Sequence, residues 1–386
     1  MTTIANAAPF ARLGLVLSAL CGVTVLPTSA VAQQATPIAT ALPANESQLP
    51  PGDMATALSE LKAQPKVDVP VPKIGPLRNT ATPPDYSPMW IEKLREGLYL
   101  IRGPIGPCMN ACAAGRPAAA TQDGVPHEPG DVAVLVTSEG VILVDDKYAV
   151  NVPEIISLVK SVTDQAIKYV VNTHYHTDHA GGNSEMLKRG VTVVAQQALR
   201  DSYDRGKSGG ETPHVTFGNY GSVQLGGAKV ELYHLGPGHT AGDTTVYFPD
   251  LKIIHMGDVV IGGMPHIDYP DGGTALGMVA EIYDMLKLDW DFAIPGHGPV
   301  MSRDEVRDYA KKYEKLLARM KQIVLQGIPR NKAAAALRLD DLGWANSAST
   351  TTFLRLDVGH FYDEMARAIA AQAAGNERPA QALLSH

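Results

Sequence analysis

The chain has 386 residues, of which 45% are hydrophobic, and its formal net charge is −7. This length is sufficient for one large domain or two ordinary ones, with a substantial apolar core. The sequence contains no Lys/Arg-rich run, so the electrostatic footprint of a nucleic-acid-binding protein is missing.

The first 32 residues have the composition of a targeting segment. Arg12 is followed by an apolar stretch over residues 13–26, which is too short for a stable membrane anchor. A small-x-small cleavage site, Ala30-Val31-Ala32, comes next. We therefore predict a signal peptide over residues 1–32 that is cleaved after Ala32, and a periplasmic or secreted protein without a membrane anchor. The alternative is an uncleaved anchor.

Residues 33–88 are predicted to form a proline-rich linker or extended arm. Eleven prolines fall in this stretch and its apolar periodicity is weak. Ordered structure is expected beyond it, as a folded domain over residues 89–300 and a helical C-terminal extension over residues 301–386 that packs on that domain.

The folded part is predicted to contain two successive blocks of strands and helices. The predicted strands are at residues 97–102, 131–137, 141–145, 168–172, 191–195, 222–225, 229–235, 244–248, 252–256 and 292–294. The predicted helices are at residues 152–162, 183–189, 275–287, 303–326 and 359–373. In each block strands first pair as hairpins and then alternate with helices. This order predicts an α/β (α+β) fold with two mixed sheets packed face to face and helices outside.

A long connection over residues 103–130 separates the first two predicted strands. It is rich in Gly, Ala and Pro and carries Cys108 and Cys112. Long loops are often functional, although a floppy insertion is the alternative. Because an exported protein meets an oxidising environment, the two thiols could form a disulfide, and the sequence leaves that question open.

Residues 174–179 hold three imidazoles and a carboxylate within six positions. Imidazole and carboxylate are the ligands of zinc and related divalent metals. So short a segment cannot place all four groups on one ion without strain. It can face two adjacent ions, with His174 and His176 on one and Asp178 and His179 on the other.

Three further polar residues each follow a short apolar strand inside a Gly-rich turn: His239, Asp258 and His297. Glycines let the backbone turn sharply and bring a side chain back over the strand ends, where sites in sheet-based α/β folds are assembled. A lone histidine in such a turn is more often structural than a metal ligand. The cluster at residues 174–179 reverses that expectation and favours a metal-binding role.

The seven residues divide into two predicted ligand sets. Metal one takes His174, His176 and His239, metal two takes Asp178, His179 and His297, and Asp258 bridges them. Two carboxylates facing two dications suit attack on an electron-poor carbonyl. The other histidines are expected to be structural, namely His127, His214, His234, His255, His360 and His386.

These motifs resemble those of the metallo-β-lactamase superfamily. The resemblance spans residues 174–297 by its motifs and about residues 90–300 in all. It implies an αββα four-layer sandwich with a dinuclear site in the cleft between the two sheets. Asp145, at the end of its strand, resembles a structural aspartate of the family that braces the metal-binding loop.

Details of the resemblance narrow the choice of branch. A bridging Asp258 is similar to the glyoxalase II thioesterases and the lactonases. The best-known lactamase subclass has a cysteine there and a substrate-gripping lysine three residues later, where this chain has Ile261. The segment 263–268 and the signal peptide are similar to exported members grouped as SoxH-like or quinoprotein-relay metallohydrolases.

The resemblance implies an exported dinuclear metallohydrolase acting on a small ester, thioester, lactone or amide. Metal-bound hydroxide, oriented by Asp178, would attack the carbonyl, with two divalent ions that are zinc by default and iron or manganese as alternatives. His266, Tyr269 and Tyr148 are candidate substrate contacts.

Several alternative functions stay open. They are a β-lactamase-type amide hydrolase, an iron-dependent oxidoreductase resembling persulfide dioxygenases, a metal-dependent binding protein and, as the weakest choice, a phosphodiesterase. The expected partner is a small-molecule substrate, and the oligomeric state is not predicted.

Overall fold

Two β-sheets form the centre of the folded part of the chain. A computed structural model describes residues 89–103, 130–205, 213–344, 350–351 and 353–374. The predicted signal peptide, the linker and the two cysteines of the 103–130 connection lie outside the described residues. These predictions therefore stay predictions.

The first sheet has seven strands in the order β1 to β7. They are β1 Trp90–Arg95, β2 Leu98–Arg102, β3 Val132–Val136, β4 Val141–Val144, β5 Ile167–Val171, β6 Thr192–Gln196 and β7 Val215–Phe217. The first four strands pair antiparallel, and β4 to β7 pair parallel. Short turns join β1 to β2 and β3 to β4, whereas the parallel strands are joined through helical segments.

The second sheet has six strands in the order β13-β12-β11-β10-β9-β8. They are β8 Tyr220–Leu225, β9 Ala228–Tyr233, β10 Thr245–Phe248, β11 Ile253–His255, β12 Phe292–Ile294 and β13 Met301–Ser302. Only β11 and β12 pair parallel. Both sheets are therefore mixed, as the sequence predicts.

The described helices lie outside the sheets or at the strand ends. They are α1 Val152–Lys160, α2 Thr177–Ala180, α3 Asn183–Lys188, α4 Gln197–Asp204, α5 Ala275–Met285, α6 Arg303–Leu325, α7 Ala333–Ala336 and α8 Val358–Ala373. Within the described ranges no helix is both long and apolar enough to cross a membrane.

Alternation along the strands creates separate apolar layers. In β4, Ile142 belongs to the cluster between the sheets, whereas Val141 and Leu143 belong to the cluster that also contains Ile155 of α1. Successive side chains point to opposite faces of a strand, so a strand with both faces covered is apolar throughout. Burial of each such aliphatic side chain stabilises the folded state by roughly 1.5–3 kcal/mol. The layers confirm the predicted αββα sandwich.

The C-terminal helices cover the outer face of the second sheet. The long helix α6 begins with a capping box, in which Ser302 and Glu305 satisfy each other's backbone N–H groups. Tyr313 of α6 and Phe361 of α8 are fully buried in one cluster with Val279 of α5. Helix α8 is therefore part of the packed core rather than a detached tail.

Several short elements of the structure were not predicted from the sequence. They are β1, β7, β13, α2 and α4. Strand β1 (Trp-Ile-Glu-Lys-Leu-Arg) lies at a sheet edge and is only partly buried, so its apolar pattern is weak. Helix α4 has a polar composition and buries mainly Leu199 and Tyr203. His255, predicted to be packed within its strand, ends β11 and is fully buried.

Candidate metal centre

All seven predicted ligands lie beyond the carboxyl ends of strands, at one edge of the two sheets. His174 to His179 follow β5 of the first sheet. His239, Asp258 and His297 follow β9, β11 and β12 of the second sheet. The structure brings these side chains together across the cleft between the sheets, in two adjacent groups.

Group one consists of His174, His176, His239 and Asp258. Nδ1 of His176 lies 3.1 Å from Nε2 of His174 and 3.0 Å from Nε2 of His239. Oδ2 of Asp258 lies 3.8 Å from Nε2 of His239. One ligand atom from each residue falls within 4.8 Å of all the others.

Group two consists of Asp178, His179 and His297. The Nε2 atoms of His179 and His297 lie 3.1 Å apart, and Nε2 of His297 is 3.3 Å from Oδ2 of Asp178. Asp258 also reaches this group, because its two carboxylate oxygens lie 3.2 Å from Nε2 of His179 and 3.2 Å from Nε2 of His297. Asp258 therefore lies between the groups, where the sequence places a bridging ligand.

The outward nitrogens of the group-one imidazoles are already engaged. Nδ1 of His239 lies 2.8 Å from the carbonyl oxygen of His266, which can only accept a hydrogen bond. Nε2 of His176 lies 3.0 Å from Oδ2 of Asp268. Nδ1 of His174 lies 3.1 Å from the hydroxyl of Thr173.

The hydroxyl of Thr173 accepts from His174 because it donates its own proton to Asp145, at 2.7 Å. A neutral imidazole carries a single N–H. Each group-one imidazole uses that N–H outward and therefore directs a lone pair into the site. Lone pairs cannot hydrogen-bond to one another, so their convergence suits a shared cation.

The donor set fits a divalent metal ion. Two nitrogens that are each about 2.05 Å from a tetrahedral zinc lie roughly 3.3 Å apart, close to the spacing between the group-one nitrogens. Among the described residues, the buried Oδ1 of Asp258 has no polar neighbour other than Nε2 of His179, at 3.2 Å. Buried carboxylate oxygens are normally paired, so this atom is also suited to a cation.

The charges differ between the two groups. Burial and the neighbouring His176 lower the pKa of His239 to about 3, which keeps this imidazole neutral. Burial also lowers the pKa of His179, but Asp258 and Asp178 outweigh it and raise that pKa to about 10. In the metal-free protein, protons on group two therefore balance its carboxylates. A bound ion would displace those protons.

Asp145 braces the loop that carries the histidine cluster. Its carboxylate accepts from the backbone N–H of Thr173 at 2.7 Å and from Nδ1 of His179 at 2.7 Å. It follows β4 in the left-handed region, with φ +66°, and is fully buried. The position agrees with the bracing role that the family resemblance implies for Asp145.

Glycine is required beside the shared carboxylate. A Cβ at Gly296 would lie 2.7 Å from the carbonyl carbon of Gly257 and would overlap Oδ1 of Asp258. The backbone N–H of Gly296 donates to the carbonyl of Gly257 at 2.7 Å. The Gly-rich turn thus allows the His297 loop to approach the Asp258 loop closely.

The three predicted substrate contacts have different surroundings. The His266 ring is 33% exposed, and its centroid lies 5.5 Å from that of His239, beside group one. The Tyr269 hydroxyl instead donates to Glu364 of α8, at 2.8 Å. Tyr148 is half-buried and precedes the short helical turn Ala149–Asn151. Only His266 is placed next to a ligand group by these contacts.

Sequence reasoning missed the residues that orient the ligands from outside. Asp268 lies in the 263–268 segment that the resemblance singled out, so a local signal existed. Asp357 and Glu364 lie about ninety positions from their partners in that loop and carry no motif. Such pairings arise from packing and cannot be read from spacing.

The chain was compared with known proteins. A family model described as the metallo-beta-lactamase superfamily matches residues 126–297. The 2,4-dinitroanisole O-demethylase subunit alpha of Nocardioides sp. (strain JS1661) is 30% identical over 138 residues, which are 35% of this chain and 42% of that protein. The metallo-beta-lactamase type 2 of Bacillus cereus is 27% identical over 188 residues, 45% of this chain and 69% of that protein.

Among solved structures, a metallo-beta-lactamase from Pontibacter korlensis aligns with a TM-score of 0.48 and 22% identity, covering 58% of this chain and 99% of that one. This chain matches less than half of the length of the O-demethylase subunit. All seven candidate ligands fall within the family match. Residues 126–297 of this chain thus match the metallo-beta-lactamase superfamily, and they carry a His/Asp set suited to divalent metal ions.

Proposed function

We propose that this protein is an exported hydrolase that holds two divalent metal ions, zinc by default, and cleaves a small ester, thioester, lactone or amide. The observation that carries the proposal is the pair of ligand groups with Asp258 between them. His174, His176 and His239 would hold one ion, and Asp178, His179 and His297 the other. Divalent ions in such a site lower the pKa of water to about 7 and polarise a carbonyl oxygen.

The chain's own groups prepare the site for that chemistry. Burial raises the pKa of Asp178, but His179 and His297 outweigh it and hold the pKa well below its usual range. The Asp178 side chain is 20% exposed, so its ionised carboxylate faces the cleft. It can accept a hydrogen bond from an attacking water and orient that water toward a bound carbonyl.

The breadth of the proposed substrate class follows from this arrangement. Attack by water needs no side-chain nucleophile, so ester, thioester, lactone and amide carbonyls are all chemically accessible. The relative named metallo-beta-lactamase type 2 supports a cyclic amide as one candidate. Because another relative is named an O-demethylase, an aryl methyl ether also belongs in a substrate panel.

The proposed hydrolase activity can be tested with zinc-loaded protein and a panel of those five bond types. Asp178→Ala should reduce the rate on the cleaved substrate by at least about 10²-fold, since it removes both a ligand and the water-orienting group. The exposed Asp164→Ala variant, which removes the same charge, should leave the rate unchanged. Full activity after metal stripping would overturn the proposal.

The same preparation distinguishes the iron-dependent alternative. About two zinc ions per chain, with recovery of hydrolysis on zinc addition, support the hydrolase. About one iron per chain, with oxygen consumption and no hydrolysis, would favour an oxidoreductase instead. Export is tested separately: the N-terminal residue of protein recovered from the periplasm or medium should be Gln33.

A further inference from the structure

The C-terminal helical region contacts a loop beside group one. The family match ends at residue 297, whereas the described chain continues through α6 to α8. A π-helical turn over Phe353–Asp357 and the following helix α8 pack with α5 and α6 in one apolar cluster. Two carboxylates of this region, Asp357 and Glu364, reach the loop over residues 264–274, which we call the 264–274 loop.

Asp357 holds the first part of the 264–274 loop. Its side chain is only 2% exposed. Oδ2 of Asp357 lies 2.9 Å from Nδ1 of His266 and accepts the backbone N–H of Ile267 at 3.2 Å. A buried carboxylate must be paired, so these two bonds fix the loop backbone at His266.

Glu364 holds the far end of the same loop. Its Oε2 accepts from the hydroxyl of Tyr269 at 2.8 Å and from the backbone N–H of Ala275 at 2.9 Å, and Oε1 accepts from the N–H of Leu276 at 3.2 Å. The last two N–H groups belong to the first turn of α5, where a carboxylate is favoured by the helix dipole. Both ends of the loop are thus bound to the C-terminal region.

The inner side of the 264–274 loop orients two of the three imidazoles of group one. The carbonyl of His266 accepts from Nδ1 of His239, at 2.8 Å. Asp268 accepts from Nε2 of His176 at 3.0 Å and from the hydroxyl of Tyr175. The backbone N–H of Asp268 also donates to the carbonyl of His239, at 2.8 Å.

His179 of group two is oriented from the first sheet. The outward nitrogen of His179 is held by Asp145, which follows β4 of the first sheet. Asp145 also fixes the backbone of Thr173. A disturbance of the 264–274 loop should therefore reach group one and spare group two.

From these contacts, and resting on the proposed metal site, we propose that Asp357 and Glu364 are positioning residues that set the metal affinity of group one through the 264–274 loop. The C-terminal region thereby supplies an outer shell that lies beyond the family match. Outer partners that fix ligand orientation typically change metal affinity 10–100-fold when they are replaced.

The proposal is tested by titrating the metal-free full-length protein with zinc against a chromophoric chelator. Asp357→Asn keeps the size of the side chain but removes its charge. One of two zinc affinities should fall by about 10–100-fold, and the other should stay within about twofold. Asp363→Asn in α8, where the side chain forms an exposed ion pair with Arg330, should change neither affinity.

A double variant identifies the affected group. His239→Ala removes a ligand of group one, so adding Asp357→Asn to it should weaken the remaining zinc site no further. Adding Asp357→Asn to Asp178→Ala should weaken the remaining site by the full 10–100-fold. Unchanged affinities in Asp357→Asn, or an equal loss at both sites, would overturn the inference.

A second pair of variants keeps the test decisive if Asp357→Asn does not fold. Glu364→Gln should weaken the same zinc site. The conservative Asp357→Glu keeps the charge, so it should lose only part of the zinc affinity at that site. If both leave the two affinities at the wild-type values, the inference fails. A wild-type protein that binds no zinc would contradict the proposed function itself, so the two failures are distinguishable.

Discussion

The substitution Gly296→Ala tests whether close approach of two loops builds the centre. Gly296 has an ordinary backbone conformation, since its φ is not in the left-handed region, so alanine adds only the methyl group. That methyl would lie 2.7 Å from the carbonyl carbon of Gly257 and 2.9 Å from the backbone nitrogen of Asp258. It would also overlap Oδ1 of Asp258.

The size of the effect follows from these distances. Ordinary contact begins at 3.4 Å, so the backbone atoms must separate by 3.4 − 2.7 = 0.7 Å and 3.4 − 2.9 = 0.5 Å. Displacing a catalytic group by about 1 Å costs on the order of 10²-fold in rate, so we expect a loss of about 10- to 10²-fold. Overpacking should also lower the free energy of unfolding by about 1–3 kcal/mol.

The hydrolysis rate of the zinc-loaded protein measures the first effect, and chemical denaturation of the metal-free protein measures the second. Zinc titration shows whether metal binding itself is weakened. Asp258 reaches both groups, so Gly296→Ala should weaken both zinc affinities. Gly218→Ala is the matched control, because a Cβ there meets no atom within 4 Å. If Gly296→Ala binds zinc like Gly218→Ala, the two loops can separate freely, and the close approach of the Gly296 turn to Asp258 is not needed for metal binding.

Three further predictions concern group two. Burial lowers the pKa of His179, but Asp258 and Asp178 outweigh it and raise this pKa from 6.5 to about 10 in the metal-free protein. Zinc must therefore displace a proton, and the zinc affinity should rise between about pH 6 and pH 8. The same raised pKa stabilises the metal-free fold fully below about pH 6.5, and this stabilisation is lost as the pH rises through about 10. Zinc competition titrations across pH measure the affinity, and denaturation across pH measures the stability. A zinc affinity that does not change with pH would contradict the reasoning. Asp145→Asn should weaken zinc binding at group two by about 10–100-fold, because the charged acceptor for His179 is lost while Asn tolerates the positive φ. The exposed Asp250→Asn is its control, and equal zinc affinities in these two variants would show that Asp145 is not needed.

The sequence by itself determined the sandwich and the identity of the seven residues that meet. Alternating and continuous apolar runs predicted β4, β5 and β9 to β12, because strands with covered faces leave a strong local pattern. His239, Asp258 and His297 were predicted from Gly-rich turns after such strands. Residues at strand ends in this type of fold converge, so their positions in the chain were sufficient to place them together.

Only the tertiary structure decided how those residues are held. The carboxylate of Asp268, the carbonyl of His266 and the contact of Asp357 with the 264–274 loop depend on the packing of α8 against α5, not on local spacing. The structure also tied the Tyr269 hydroxyl to Glu364, although the sequence made Tyr269 a candidate substrate contact. Side-chain hydrogen bonds between distant segments form only after the core has fixed the two backbones. For this reason no local sequence motif predicts them.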